Sequence, residues 1–488
     1  MSKKTIQKMS ALILSGILAF SNIIPCFATE NAQTEDEITK EQSVDIESNQ
    51  TVNWPEGPFV NAESAVLIDC DTGVILYEKN MNTKQFPAST TKVMTCLLAI
   101  ENCSLDEMVT FSKEAVFGIE RGSSNVGMDV GQSITMEEAL YCIMLASANE
   151  VASAVAEHVA GSVDKFADMM NERAKELGCT NTHFVNANGL HDDNHYTTAH
   201  DLALITAAYF QNETLMKIAN TATYDIHATA TQPDDFTMPN HHKMLPGKDY
   251  SYEYTVGGKT GYTNMARQTL TTCAEKNGMK LICVVMRDEK PEQYNDTRTL
   301  FEYGFNNFQK MNIADNETKY TIDNANFFQT DIDIFGDSKT ILSIHPDGYI
   351  ILPNTAIFSE TESTISYDNS SENVLAKISY TYNGIFVGET TIDVAASSTA
   401  SFEFGNGVPE SDVSTVSSPS PVQEGIKDNV IFVRIKIVLL VILGIFVAAA
   451  LLFVGQAFLK NYHFSKRRRR KIERRHKRYT SEFDDFDF

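Results

Sequence analysis

The chain has 488 residues, 43% hydrophobic and 21% charged, and carries a formal net charge of -24. At roughly 150 residues per domain that length allows two to three domains with ample core. The composition excludes a fibrous or wholly disordered chain, eight cysteines are too few for a small disulfide scaffold, and the acidic balance argues against nucleic acid as the main partner.

Residues 1–28 read as a signal peptide. Lys3, Lys4 and Lys8 precede a mostly apolar stretch over residues 11–24, and Cys26-Phe27-Ala28 offers a small residue at the cleavage position. Residues 29–57 are acidic and polar, and are expected to form a disordered tether. A hairpin is expected over residues 65–78, around the turn Asp71-Thr72-Gly73. Helices follow. Pro87-Ala88-Ser89 precedes an apolar run over 93–100, Thr135 and Glu138 have the spacing of a capping box, another helix runs from Asn149 to Gly161, and Thr198 with Asp201 opens one that reaches Phe210.

Strands return over residues 254–263 and in a hairpin of 268–274 with 280–286, joined across Asn277-Gly278. A helix is expected at 297–308. Strands at both ends with helices between them define an α+β catalytic domain over 58–310, an antiparallel sheet packed by helices. Residues 311–396 lose the helical signal and read as a small all-β domain, followed by a stalk rich in Ser and Pro at 397–436.

Residues 437–459 contain no charge, and 23 residues at about 1.5 Å each can span a hydrocarbon core of about 30 Å. Ten cations follow between Lys466 and Arg478, the flank expected on the cytoplasmic side. The reading is therefore a single C-terminal transmembrane helix at 437–459 and a basic cytoplasmic tail at 460–488, with the body of the chain outside the membrane. After the signal peptide seven cysteines remain, with no pair in zinc-finger or CxxC spacing; Cys96, Cys142 and Cys283 sit in apolar stretches as small buried hydrophobes.

Three short motifs occur in order: Ser89-Thr90-Thr91-Lys92, Ser147-Ala148-Asn149 and Lys259-Thr260-Gly261. The first two have duplicates, at Ser162-Val-Asp-Lys165, Ser123-Ser124-Asn125 and Ser371-Glu-Asn373, which read as capping or surface positions; K-T-G occurs once. Three residues apart on a helix, the Lys92 amine can reach the Ser89 hydroxyl. A serine needs a base, and lysine serves only when burial or a neighbouring cation such as Lys259 lowers its pKa. The alternative role for Ser89 is a helix N-cap. His191, His195 and His200 lack the HExxH pattern and read as structural histidines.

The segment from Phe86 to Thr95 closely resembles the active-serine segment of low-molecular-mass penicillin-binding proteins, the D-alanyl-D-alanine carboxypeptidases. Phe184-Val-Asn-Ala-Asn-Gly189-Leu190, with the stretch from His195 to Ala203, is similar to a second signature of that family, and Gly258-Lys259-Thr260-Gly261-Tyr262-Thr263 resembles its K-T-G strand. The resemblance implies Ser89 as the acylated nucleophile, Lys92 as its base, Ser147 as a proton relay and Asn149 as a hydrogen-bond partner of the substrate amide. It also implies Lys259, Thr260, Gly261 and Tyr262 as substrate-binding residues, with Lys259 and Thr260 at the substrate carboxylate and the backbone N–H groups of Ser89 and Tyr262 as the oxyanion hole. It implies stem peptides ending in D-Ala-D-Ala as substrate, β-lactams as covalent inhibitors, and no metal or cofactor. Gly257-Gly258 and Arg267 depart from the family pattern, Arg267 standing where glycine is common; Arg287 and Arg298 are the candidates for a later basic residue. Two other readings are a serine β-lactamase, for which no E-x-x-L-N segment lies between Asn149 and Lys259, and a membrane-tethered β-lactam sensor.

Overall fold

The computed structural model describes residues 46–320, 342–367 and 374–394, all within one compact unit. Strands β1 (Ser64–Asp69) and β2 (Ile75–Lys79) form the expected first hairpin. Helix α1 (Lys92–Asn102) follows a 3-10 turn at Ala88–Thr91. A small ribbon of β3 (Met108–Thr110) and β4 (Ser133–Thr135) leads into α2 (Met136–Leu145), and α3 (Asn149–Ala160), α4 (Val163–Glu176) and α5 (Ala199–Phe210) complete the helical half. A second ribbon, β5 (Thr223–Ile226) with β6 (Phe236–Pro239), precedes β7 (Thr255–Thr263), β8 (Arg267–Lys276) and β9 (Met279–Asp288). The main sheet is antiparallel in the order β2-β1-β9-β8-β7, so β1 and β9, the first and last of its strands along the chain, pair within it. This is an α+β catalytic domain.

Local chemistry accounts for the boundaries. Thr135 Oγ1 accepts from Glu138 N while Glu138 accepts from Thr135 N, the reciprocal capping box. Thr198 Oγ1 accepts from Asp201 N at the start of α5. Asn277 and Gly278 both have positive φ (54° and 78°), the conformation a two-residue hairpin turn requires. The duplicate motif at Ser162 is a cap as well: its hydroxyl accepts from Lys165 N at the start of α4, a helix whose polar sequence concealed it.

Residues alternate across the sheet, and both faces are covered. Val66, Ile68, Ile282 and Val284 pack on α1, α2, α3 and α5, whereas Leu67, Leu281, Cys283 and Val285 face a second core. That core includes α6 (Glu292–Asn307), which begins five residues earlier than the expected helix, and a six-stranded antiparallel sheet. The sheet comprises β10 (Phe308–Asn312), β11 (Leu342–Ile344), β12 (Tyr349–Pro353), β13 (Glu362–Ser366), β14 (Val374–Tyr382) and β15 (Ile385–Val394). Its first strand starts at Phe308, within the segment assigned from sequence to the catalytic domain.

The expected tether to residue 57 is corrected in its second half. Ile46 is fully buried and bridges Lys79, a 3-10 turn covers Glu47–Gln50, and Trp54 packs its ring 5.1 Å from that of Phe308 while its Nε1 donates to Leu76 O. A few large anchors in a polar stretch suffice to order it. Among the described residues no helix is long and apolar enough to cross a membrane. The expected signal peptide (1–28), most of the tether (29–45), the stalk (397–436), the apolar span (437–459) and the basic tail (460–488) lie outside the described residues, as does Ser371-Glu-Asn373. The seven described cysteines are all free.

Trp54→Ala should destabilise the protein by about 3 to 5 kcal/mol, the cost of deleting a large buried aromatic. Guanidinium unfolding followed by far-UV circular dichroism measures this, and a loss below about 0.5 kcal/mol, the scale of a surface change, would return residues 46–57 to the tether.

Candidate active site

The motif residues converge where the N-termini of α1 and α3 meet strand β7. Ser89 lies in the 3-10 turn and Lys92 is the first residue of α1; no side-chain cap bond forms there, so Ser89 is not an N-cap. Pro87 O pins the turn, accepting from Thr90 N, Thr90 Oγ1 and Thr269 Oγ1 of β8. The Lys92 Nζ lies 3.1 Å from Ser89 Oγ, 2.6 Å from Asn149 Oδ1 and 2.5 Å from Asn188 O.

Burial, more than the three contacts themselves, decides which protonation state the site favours. Two of the partners are carbonyl oxygens, which only accept. An ammonium donates to all three oxygens, Ser89 Oγ included; once uncharged, the amine keeps two N–H groups for the carbonyls and turns its lone pair to the Ser89 hydroxyl. Burial pushes the Lys92 pKa well below its ordinary value, and the Lys259 ammonium pushes it further down. Lys92 is fully buried, so the charged form has little solvent to stabilise it.

The wall that supplies Asn188 O is the second signature segment. Thr95 Oγ1 donates to Ala187 O, and Asn188 Nδ2 donates to Ser153 Oγ of α3. His195 accepts from Val185 N at Nδ1 and so donates from Nε2 to Thr91 Oγ1, 2.8 Å away; burial pushes its pKa down to about 3, keeping it neutral. His191 instead packs edge-on to Phe86 and His200 lies 3.7 Å from Asp201, so the three histidines serve separate contacts. Gly189, at φ 79°, backs directly onto Ala88 O, where any Cβ would collide.

On the opposite wall, Thr260, Gly261 and Tyr262 of β7 pair with Leu270, Thr269 and Gln268 of β8. A Cβ on Gly261 would lie 2.9 Å from Ser89 N and clash with Thr269 Oγ1, so glycine lets the strand approach the nucleophile's backbone. Lys259 is buried behind this wall, its Nζ donating to Thr260 O at 2.9 Å, and burial pushes its pKa down to about 7. The Gly257-Gly258 departure has a packing reason. A Cβ on Gly258 would strike Thr271 O and lie 2.6 Å from His242 Nε2, and one on Gly257 would lie 2.7 Å from Ala219 Cβ. Arg267 adopts φ 56° at the turn after β7, where glycine is the easier residue, and forks onto the Glu289 carboxylate with two hydrogen bonds.

The cleft between the walls has a volume of about 560 Å³. Ser89, Ser147, Asn149, Thr260, Gly261 and Tyr262 line it, with Lys92 and Lys259 buried behind. Ser147 is held at φ 60°, a strained conformation for a serine and one that recurs at functional sites. The cleft also includes residues with no motif to mark them, notably Glu120, Arg121, Ser124, Lys243, Lys290 and Gln293. Ser123 and Ser124 belong to a loop anchored from below: Ser124 O accepts from Asn149 N, and the buried Glu150 carboxylate accepts from Val126 N and Gly127 N. The Ser123-Ser124-Asn125 duplicate therefore sits on the cleft wall, a placement its spacing alone did not distinguish. Arg287 pairs with Glu63 and Arg298 donates to Tyr250 O and Ser251 O; neither lines the cleft, whereas Lys290 does.

A serine hydroxyl beside the amine of a desolvated lysine, at the N-termini of two helices, is the constellation of an acyl-transferring serine enzyme. The profile of the D-alanyl-D-alanine carboxypeptidase family, peptidase S11, matches residues 49–290. The chain is 35% identical to D-alanyl-D-alanine carboxypeptidase DacF of Bacillus subtilis, over 51% of its own length and 63% of that protein's. It is 30% identical to DacB2 of Mycobacterium tuberculosis (54% of this chain, 87% of that one) and 30% identical to DacA of Escherichia coli (61% and 72%). The chain belongs to the D-alanyl-D-alanine carboxypeptidase family.

Asn149→Asp should set a carboxylate against Lys92. That favours the ammonium and raises the lysine pKa, so the acid limb of Ser89 acylation should move to higher pH. The rate at pH 7 should fall about tenfold for every pH unit the limb moves. Stopped-flow acylation by a chromogenic β-lactam between pH 5 and 10 reads it; an unmoved acid limb would remove Lys92 as the base.

Proposed function

We propose that this chain is a serine-type D-Ala-D-Ala carboxypeptidase that removes the terminal D-alanine from peptidoglycan stem pentapeptides and is acylated by penicillin at Ser89. The observation that carries the reading is the fully buried Lys92 amine, 3.1 Å from Ser89 Oγ and held there by the carbonyls of Asn149 and Asn188. Ser89 Oγ attacks the carbonyl carbon of the penultimate D-alanine as its proton passes to Lys92 Nζ. The oxyanion is met by the backbone N–H groups of Ser89 and Tyr262. Collapse of the tetrahedral intermediate breaks the C–N bond, the departing amine takes a proton through Ser147, and water hydrolyses the ester.

Thr260 on the wall and Lys259 behind it receive the substrate's terminal carboxylate. Lys259 must be an ammonium for this, and burial pushes its pKa down to about 7. In the free enzyme the charge is present below that pH and lost above it. kcat/KM for a peptide with a free C-terminal carboxylate should therefore decline above about pH 7. A bound carboxylate raises the lysine's pKa again, so the same limb in kcat should lie at higher pH. Equal alkaline limbs in kcat and kcat/KM would separate Lys259 from carboxylate recognition.

The same reading places the protein outside the cytoplasmic membrane, exported by the signal peptide at 1–28. It is anchored by a helix at 437–459, with the cations of residues 466–478 on the cytoplasmic side. The β-sheet region from about residue 311 acts as a spacer between the membrane and the catalytic domain.

Intact-mass analysis after benzylpenicillin, with peptide mapping, tests the core of the proposal. One adduct is expected on Ser89, abolished in Ser89→Ala and retained in Ser162→Ala, whose hydroxyl only caps α4. Release of D-alanine from a pentapeptide should be lost with it. Penicillin labelling without D-alanine release would favour a sensor, and rapid nitrocefin turnover a β-lactamase.

A further inference from the structure

The helices α1 and α3 meet twice. Their N-termini carry Lys92 and Asn149 into the active site; their C-terminal ends approach each other about 16 Å away, the length of an 11-residue helix. There Cys103 caps α1, His158 lies in the last turn of α3, and Glu107 enters from the loop that leads to β3. One ligand atom from each of the three lies within 4.8 Å of the other two. The His158 Nε2 is 2.9 Å from Glu107 Oε2, and Ser104 N donates to the other Glu107 oxygen at 2.7 Å, fixing the carboxylate. Cys103 is half-buried, whereas the other six described cysteines are buried.

We propose that Cys103, Glu107 and His158 form a site for a single divalent transition-metal ion of the zinc class, which clips together the far ends of the two helices that carry the catalytic residues. Thiolate, imidazole and carboxylate are the donor set that suits zinc, and three protein ligands leave a fourth position for water. Zinc bonds of about 2.0–2.3 Å put tetrahedral ligands about 3.3–3.8 Å apart. The three atoms therefore need only side-chain adjustment: His158 and Glu107 separate slightly as the ion replaces their hydrogen bond, and Cys103 closes in. Binding expels the Cys103 thiol proton to solvent and leaves the neutral imidazole with its proton on Nδ1, so one proton is released per ion. Burial and the Glu107 carboxylate both hold the Cys103 thiol's pKa above its ordinary value, so the ion must displace that proton. The site is independent of the carboxypeptidase reading, because neither the three residues nor the test involves the cleft.

Cobalt(II) titration of the metal-stripped full chain tests the proposal. One equivalent should produce a thiolate-to-cobalt charge-transfer band in the near ultraviolet and the intense visible bands of a four-coordinate ion, both displaced by zinc. Zinc should also raise the thermal midpoint by a few degrees through binding to the native state. Cys103→Ser and His158→Ala should abolish the band and the thermal shift, and Glu107→Gln should weaken binding at least tenfold. The metal-free variants should keep the wild-type far-UV spectrum, which separates loss of the site from loss of the fold. Absence of the band, a band that survives both Cys103→Ser and His158→Ala, or a midpoint that zinc leaves unmoved would overturn the clip.

Discussion

The structure depends on keeping one amine dry. A lysine inside a protein is costly when charged, and a neutral amine is costly when its donors lack acceptors. Lys92 meets both constraints because Asn149 Oδ1 and Asn188 O accept its two N–H groups, leaving one direction for the lone pair. Each acceptor arrives on a different element, one on the first residue of α3 and one on the segment before α5. The packing of these elements around α1 is therefore also what aims the base at Ser89.

Close backbone approach is the second constraint, and it falls on glycines. Gly189 lies against Ala88 O and Gly261 against Ser89 N, from opposite walls. The nucleophile's turn is thus gripped between two backbones that no side chain could separate without moving the serine. Gly258 extends the same condition one step back along β7, where Thr271 O and His242 occupy the space a Cβ would need. A glycine that looks like a departure from a family pattern is here the residue the packing requires.

What could be read from the sequence was what local chemistry determines. The Thr135–Glu138 box, the Thr198 cap, the Asn277-Gly278 turn and the three ordered motifs each act within a few residues, and their spacing carries the information. The segment 46–57 was not legible, because its order comes from Ile46 and Trp54 meeting residues far along the chain. Helix α4 was concealed by its polar sequence. The rest of the cleft was invisible for a similar reason: Arg121, Lys243 and Lys290 each reach it from a different loop, with no periodicity or spacing to connect them. Lys290 stands three positions from Arg287 but beyond the end of β9, and sequence spacing does not tell the side chain that meets Glu63 from the one that lines the cleft.

The burial of β1 on both faces follows from where α6 and the second sheet sit. An antiparallel sheet covered only by helices on one side would show alternating polar residues on its other face. All six residues of β1 are buried instead, since Ala65 and Leu67 pack in the core that holds Phe301, Tyr349 and Ile351. The contact is polar as well as apolar. Tyr349 donates its hydroxyl toward Asp69 Oδ1 at 2.8 Å, with Asp71 Oδ2 at 3.1 Å, while the Lys310 amine lies 3.5 Å over the ring. Asp69 also accepts from Thr72 N and Thr72 Oγ1, so one carboxylate both closes the β1–β2 turn and receives the second sheet. Burial raises the Asp69 pKa, and a buried acidic group is tolerated only where donors converge on it. The turn at residues 69–73 is therefore a joint between the two sheets, and the strands beyond α6 share the catalytic domain's core.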